Sequence, residues 1–227
     1  MFKSPIDFAE NILLGKHTAL FYENAEYART VSFAFLESGM KNREHCFYFI
    51  SGGDTDFFRN EFIETMFGPN VTAYEYNTNP NTIFDENLFH LENFEFVVGD
   101  DTSVYSLTKN IINIVKKITQ SRERKNEAIN NEISRYSRII IQFNDKIKSK
   151  DHVENSVRWE KNFRNTLLRK DLPNTSLLCA YPLDRIIETL NGPSGLFSYW
   201  MSELLELYDG VIYAKADWKG VGFDLAR

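Results

Sequence analysis

The sequence predicts an α/β protein built on a mainly parallel sheet with helices on both faces. Two observations carry this. Short apolar, aromatic-rich runs alternate along the chain with longer stretches whose apolar residues recur at helical spacing. One of those runs, Cys46 to Ile50, is apolar at every position, as a strand covered on both faces requires. No linker-like stretch divides the 227 residues, so a single domain over 1–227 is expected.

Taken in order, Ile6 to Leu14 reads as a short opening helix, with Pro5 at its start and Gly15 after its end. Thr18–Tyr22 is the first strand. From Asn24, the spacing of Ala28, Val31, Phe35 and Leu36 predicts a helix that Gly39 ends. After the Cys46–Ile50 strand, Ser51-Gly52-Gly53-Asp54-Thr55 turns the chain into a helix whose core side is Phe58, Phe62 and Met66. Val71–Tyr76 reads as a third strand, and 83–98 is an ambiguous segment read as a short helix and then a strand.

A helix then begins near Thr102, with Asp100 and Asp101 complementing its dipole, and runs on as a polar, basic extension to about residue 135. Arg138–Phe143 is a fourth strand ending in Asn144-Asp145, followed by a helix over about 153–169. Ser176–Tyr181 is a fifth strand. Helices follow from Asp184 and over Phe197–Leu207, and two last strands, 210–213 and 221–225, join through Asp217-Trp218-Lys219-Gly220.

The totals exclude several classes. No apolar run approaches the roughly 18 residues of a membrane span, and no secretory signal opens the chain, so a cytoplasmic protein without membrane contact is expected. Cys46 and Cys179 lie in strand-like runs without partner spacing, which fits reduced thiols better than a disulfide or a zinc site. The histidines share no i,i+3 or i,i+4 spacing with a second ligand, so no metal or other cofactor is predicted. The net charge of −6 divides unevenly: residues 102–170 carry +9 and the remainder −15. That basic segment is either a solvated helix face or a contact for an acidic partner, with a second copy of the chain favoured over nucleic acid.

A nucleotide-hydrolysing α/β domain places G-x-x-x-x-G-K-[ST] after its first strand, where amides and a lysine hold phosphate. Here that loop is Tyr22-Glu23-Asn24-Ala25-Glu26, with neither glycine nor lysine and with two acids. Enzymatic turnover of that kind is not expected.

Two stretches carry a family resemblance. The first is His17-x-x-x-Phe21-Tyr22, an acidic loop, a helix ending in Gly39, then Glu44-x-Cys46 before an aromatic strand. The second is Trp159-Glu160 in a helix, followed by Leu178-Cys179-Ala180-Tyr181. Together they resemble MEDS domains, sensory domains of methanogens and methylotrophs related to RecA- and KaiC-like ATPases but lacking the phosphate loop. The resemblance implies a RecA-like three-layer sandwich with a C-terminal hairpin. It also implies a sensory or regulatory role for a module that binds a small organic ligand or a signalling partner. The chain departs from the pattern at Arg138–Phe143, at Pro182-Leu183-Asp184 and at Asp209-Gly210, departures that bear on the ligand rather than on the fold.

In a parallel sheet, ligands bind beyond the carboxyl ends of the strands. The expected site is therefore a crevice lined by Tyr22, Glu23, Ser51, Gly52, Gly53, Asp54, Asn144 and Tyr181. The Ser51–Thr55 turn presents amides to an anion or is simply a capped glycine turn. His17 is either a polar contact for the ligand or a satisfied structural residue. Glu160 either reaches a strand-end group or ligand, or makes a surface ion pair with Arg164 one turn on. Cys179 reads most simply as a small buried apolar side chain, with a soft-ligand role as the alternative.

Overall fold

Why the first strand and the helix after it pack as they do is visible in a computed structural model of the chain. It describes residues 3–51, 64, 94–99, 113, 115–117, 136–142, 150–164, 172, 174–190 and 195–225. Strand β1 (His17–Tyr22) is buried at every position. Its odd and even residues therefore face two different apolar layers. Asn24 then caps helix α2 (Ala25–Lys41), its side chain accepting from the Tyr27 N–H at 2.9 Å. Gly39 does not end this helix: it lies inside the last turn, where a Cβ would come within 2.7 Å of Arg138 Cδ and 2.8 Å of Cys46 Sγ. Its smallness allows α2 to settle against the sheet.

Seven strands form one sheet. Strands β2 (His45–Ser51), β3 (Phe94–Gly99), β4 (Ser137–Gln142), β5 (Thr175–Pro182), β6 (Gly210–Ala214) and β7 (Gly220–Asp224) join β1 in the order β3-β2-β4-β5-β1-β6-β7. All neighbours are parallel except β6 and β7, which form an antiparallel hairpin. The ambiguous segment before residue 99 thus ends as a strand. Registers that matter for the site pair His17 with Leu177, Ala19 with Cys179 and Phe21 with Tyr181.

Helices cover both faces. On one, α1 (Pro5–Glu10) and α2 supply Phe8, Val31, Phe35 and Leu36 to a layer with Leu20, Tyr22, Cys46, Tyr48 and Ile140. On the other, α3 (Lys150–Asn162, followed by a wider turn at Phe163), α4 (Leu183–Thr189) and α5 (Gly195–Leu205) supply Trp159, Phe163, Ile186, Trp200 and Leu204. These meet Ala19, Phe21, Phe47, Ile139, Cys179 and Tyr181. The result is a three-layer α/β sandwich with a mainly parallel sheet and a C-terminal hairpin, as expected. Among the described residues, no helix is long and apolar enough to cross a membrane.

The chain's start is tied to its end. Lys3 bridges to Gly222 of β7 through two backbone hydrogen bonds, Lys3 N–H to Gly222 O at 3.1 Å and the reverse at 2.9 Å. The Phe8 ring lies across Gly210 and Gly222, filling space that a side chain at either glycine would need. Gly220 has φ +154°, and a Cβ there would overlap the Tyr213 carbonyl oxygen. The expected third strand at 71–76, the helix bearing Phe58, Phe62 and Met66, and most of the basic extension lie outside the described residues. In the helix expected to lead into that extension, Asn113 and residues 115–117 are helical, with Val115 buried and Lys117 exposed.

Candidate functional site

The two stretches that carry the family resemblance converge on one buried cluster. His17 opens β1, Cys179 and Tyr181 lie on the neighbouring β5, and all three side chains share the face covered by α3. The helical spacing of α3 turns Trp159, Glu160 and Phe163 toward the sheet, and all three are almost wholly buried. Tyr208, between α5 and β6, closes the cluster with its ring edge-on to His17, centroids 4.4 Å apart.

Glu160 is the hub and is fully buried. Its Oε1 accepts hydrogen bonds from the hydroxyls of Tyr181 and Tyr208, the latter at 2.7 Å, and the two hydroxyls lie 3.1 Å apart. Its Oε2 lies 3.3 Å from His17 Nε2, close enough for an ion pair yet without an aligned hydrogen bond. Cys179 Sγ lies 3.6 Å from the same His17 Nε2.

The electrostatics follow from that arrangement. Burial alone would push the Glu160 carboxyl up, but His17 and the two phenols outweigh it and hold the group below the usual carboxylate range. Its charge acts in turn on its neighbours. Burial first, and the Glu160 carboxylate second, push the Cys179 thiol and both phenols well above their ordinary values. Cys179 is therefore held as a thiol rather than an activated thiolate in this state.

The surface ion pair between Glu160 and Arg164 is not made. Glu160 points inward, and Arg164 sits 3.6 Å from Asp209 and donates to the Glu206 carbonyl at 3.3 Å. Asp209 fixes the register beside the cluster: its carboxylate accepts from the His17 N–H at 2.9 Å and its own N–H donates to His17 O at 2.7 Å.

The crevice expected at the carboxyl ends of the strands is not assembled as foreseen. Tyr22 belongs to the layer under α2, whereas Tyr181 points into the opposite layer. Side-chain alternation explains this: Tyr181 registers with Phe21, not with Tyr22. Glu23 does lie beyond β1, but its carboxylate is engaged, accepting from the Tyr213 hydroxyl and from the Ala216 N–H at 3.1 Å. Those bonds hold Glu23 below the usual carboxylate range, while burial and Glu23 raise Tyr213 to about 12. Ser51 ends β2 opposite Gly99. Gly52, Gly53, Asp54 and Asn144 lie outside the described residues.

Sequence reasoning missed Tyr208, which stands outside both family-like stretches. Its available signal was its place immediately before Asp209-Gly210, where the chain departs from the pattern. A separate cavity of about 40 Å³ lies between α1 and the starts of β1 and β6, lined in part by Lys3, Lys16, Asp209 and Asp224. It suits water rather than an organic ligand.

No family model and no curated protein matches the chain. Among solved structures, a protein from Pyrococcus horikoshii OT3, determined as a structural study, is similar at TM-score 0.43 and 9% identity. That match covers 95% of this chain and 89% of the other, and is too distant to bear on function.

Proposed function

We propose that the chain is a non-catalytic, cytoplasmic regulatory module of the MEDS type, responding to a small organic ligand or a signalling partner. One observation carries the reading: His17, Glu160, Cys179 and Tyr181, drawn from the two separate family-like stretches, meet in a single polar cluster inside an otherwise apolar layer. Burying a carboxylate there is costly unless it is fully supported, and perturbed buried groups of this kind cluster at functional sites. The cluster retains unused capacity. Among the described residues, His17 Nδ1, Glu160 Oε2 and the nearby Trp200 Nε1 are buried without a hydrogen-bond partner.

The first-strand loop supports the non-catalytic part. Where a phosphate-binding loop would present amides and a lysine, Asn24 closes the helix N-terminus and the Glu23 carboxylate is fastened to the final hairpin. An acid held ionised there repels phosphate. Output passes through a protein contact, for which the basic segment and the acidic remainder of a second copy are complementary.

The test combines magnesium-dependent phosphate release with a thermal-shift screen of nucleotides and small organic compounds. The reading expects no release above a no-protein control, and a stabilising compound whose effect falls in Tyr181→Phe. ATP turnover that disappears on changing Glu23 overturns it in favour of an atypical nucleotide enzyme.

A further inference from the structure

We propose that His17 Nε2, Cys179 Sγ and Glu160 Oε2 form a binding site for a divalent transition metal of the zinc class. The three donor atoms come from β1, β5 and α3, all lie within 4.8 Å of one another, and all three residues are buried. Nitrogen, sulfur and oxygen donors in one set suit a borderline-soft cation rather than calcium or magnesium.

Metal–nitrogen and metal–oxygen bonds of about 2.05 Å and a metal–sulfur bond of about 2.3 Å at tetrahedral angles place N and O roughly 3.3 Å apart and N and S roughly 3.6 Å apart. The structure has His17 Nε2 at 3.3 Å from Glu160 Oε2 and at 3.6 Å from Cys179 Sγ, so two of the three donor separations match, while Oε2 and Sγ lie within 4.8 Å against the roughly 3.6 Å of a tetrahedral site. Nε2 carries at most one proton, yet it faces a carboxylate and a thiol, and Oε2 makes no aligned hydrogen bond.

The second oxygen of Glu160 is arranged as a supported metal ligand's would be. Tyr181 and Tyr208 both donate to Oε1, fixing the carboxylate so that Oε2 is the oxygen turned to His17. Three protein donors leave a fourth position open. Metal on Nε2 puts the imidazole proton on Nδ1, for which the described residues supply no acceptor. The site is thus weaker than one with a fully supported histidine. It stands whether or not the chain is regulatory.

The test unfolds the full chain, strips it with a chelator and refolds it with cobalt(II) under reducing conditions. The expected result is a near-ultraviolet thiolate-to-cobalt charge-transfer band that saturates stoichiometrically and is displaced by zinc. Cys179→Ser loses the band and Cys46→Ser keeps it, because Cys46 is buried on the opposite face of the sheet. Tyr208→Phe weakens cobalt affinity by about 10–100-fold, as loss of an outer-shell partner does. Absence of the band in folded wild type, or its persistence in Cys179→Ser, overturns the site. Should Cys179→Ser fail to fold, His17→Gln carries the test, and unchanged cobalt affinity in that variant overturns it equally.

Discussion

Replacing Arg138 with methionine tests the most demanding interaction under α2. Arg138 and Glu44 are each about 4% exposed, and Nε donates to Glu44 Oε2 at 2.7 Å. The guanidinium also donates to the Phe35 carbonyl at 3.1 Å and lies 4.9 Å from the Phe35 ring centre. Methionine retains most of the apolar stem, so packing beside Gly39 survives while the charge is removed. Glu44 is then left buried without its cation, which costs about 3–5 kcal/mol, a large share of the roughly 5–15 kcal/mol of a typical domain. Urea unfolding followed by circular dichroism reads the loss directly. Adding Glu44→Leu recovers part of it, because no buried charge remains. A loss below about 1 kcal/mol in the single variant refutes the reasoning, since an ion pair worth so little behaves as a solvated surface pair.

Two further outcomes are expected. Gly222→Ala puts a methyl group into Phe8 Cβ and Cγ, displacing α1 from the hairpin at a cost of about 1–3 kcal/mol by overpacking; an unchanged urea midpoint contradicts that contact. Glu23, whose folded pKa is depressed, stabilises the fold above its unfolded value of about 4.3, and that contribution is lost as pH falls through the folded pKa. Wild type and Glu23→Gln therefore differ in urea midpoint near neutral pH and converge in acid; a gap independent of pH contradicts the Tyr213 and Ala216 bonds.

The layers were more legible in the sequence than the site. Strands such as those at Cys46–Phe49 and Leu177–Tyr181 announce themselves because both faces are buried, so apolar residues run without interruption. Helix α2 was legible from its spacing, but its end was not. Gly39 carries the sign of a helix stop, and tertiary packing against Arg138 and Cys46 uses its smallness instead. In the candidate site, His17, Glu160, Cys179 and Tyr181 were each visible through the family resemblance. Their meeting point was not, because it depends on strand register and on which face α3 turns inward. Tyr22 shows the same difficulty: one residue along β1 reverses the layer a side chain enters. Pairings such as Glu44 with Arg138, 94 positions apart, leave no local pattern to read.

A double-mutant cycle between His17→Gln and Glu160→Gln, measured by urea unfolding in the presence of chelator, tests the convergence on which the candidate site rests. Contact within one buried network predicts that the two losses fail to add, with a coupling of about 1–3 kcal/mol. Losses that add to within about 0.5 kcal/mol would mean that β1 and α3 do not meet at this cluster.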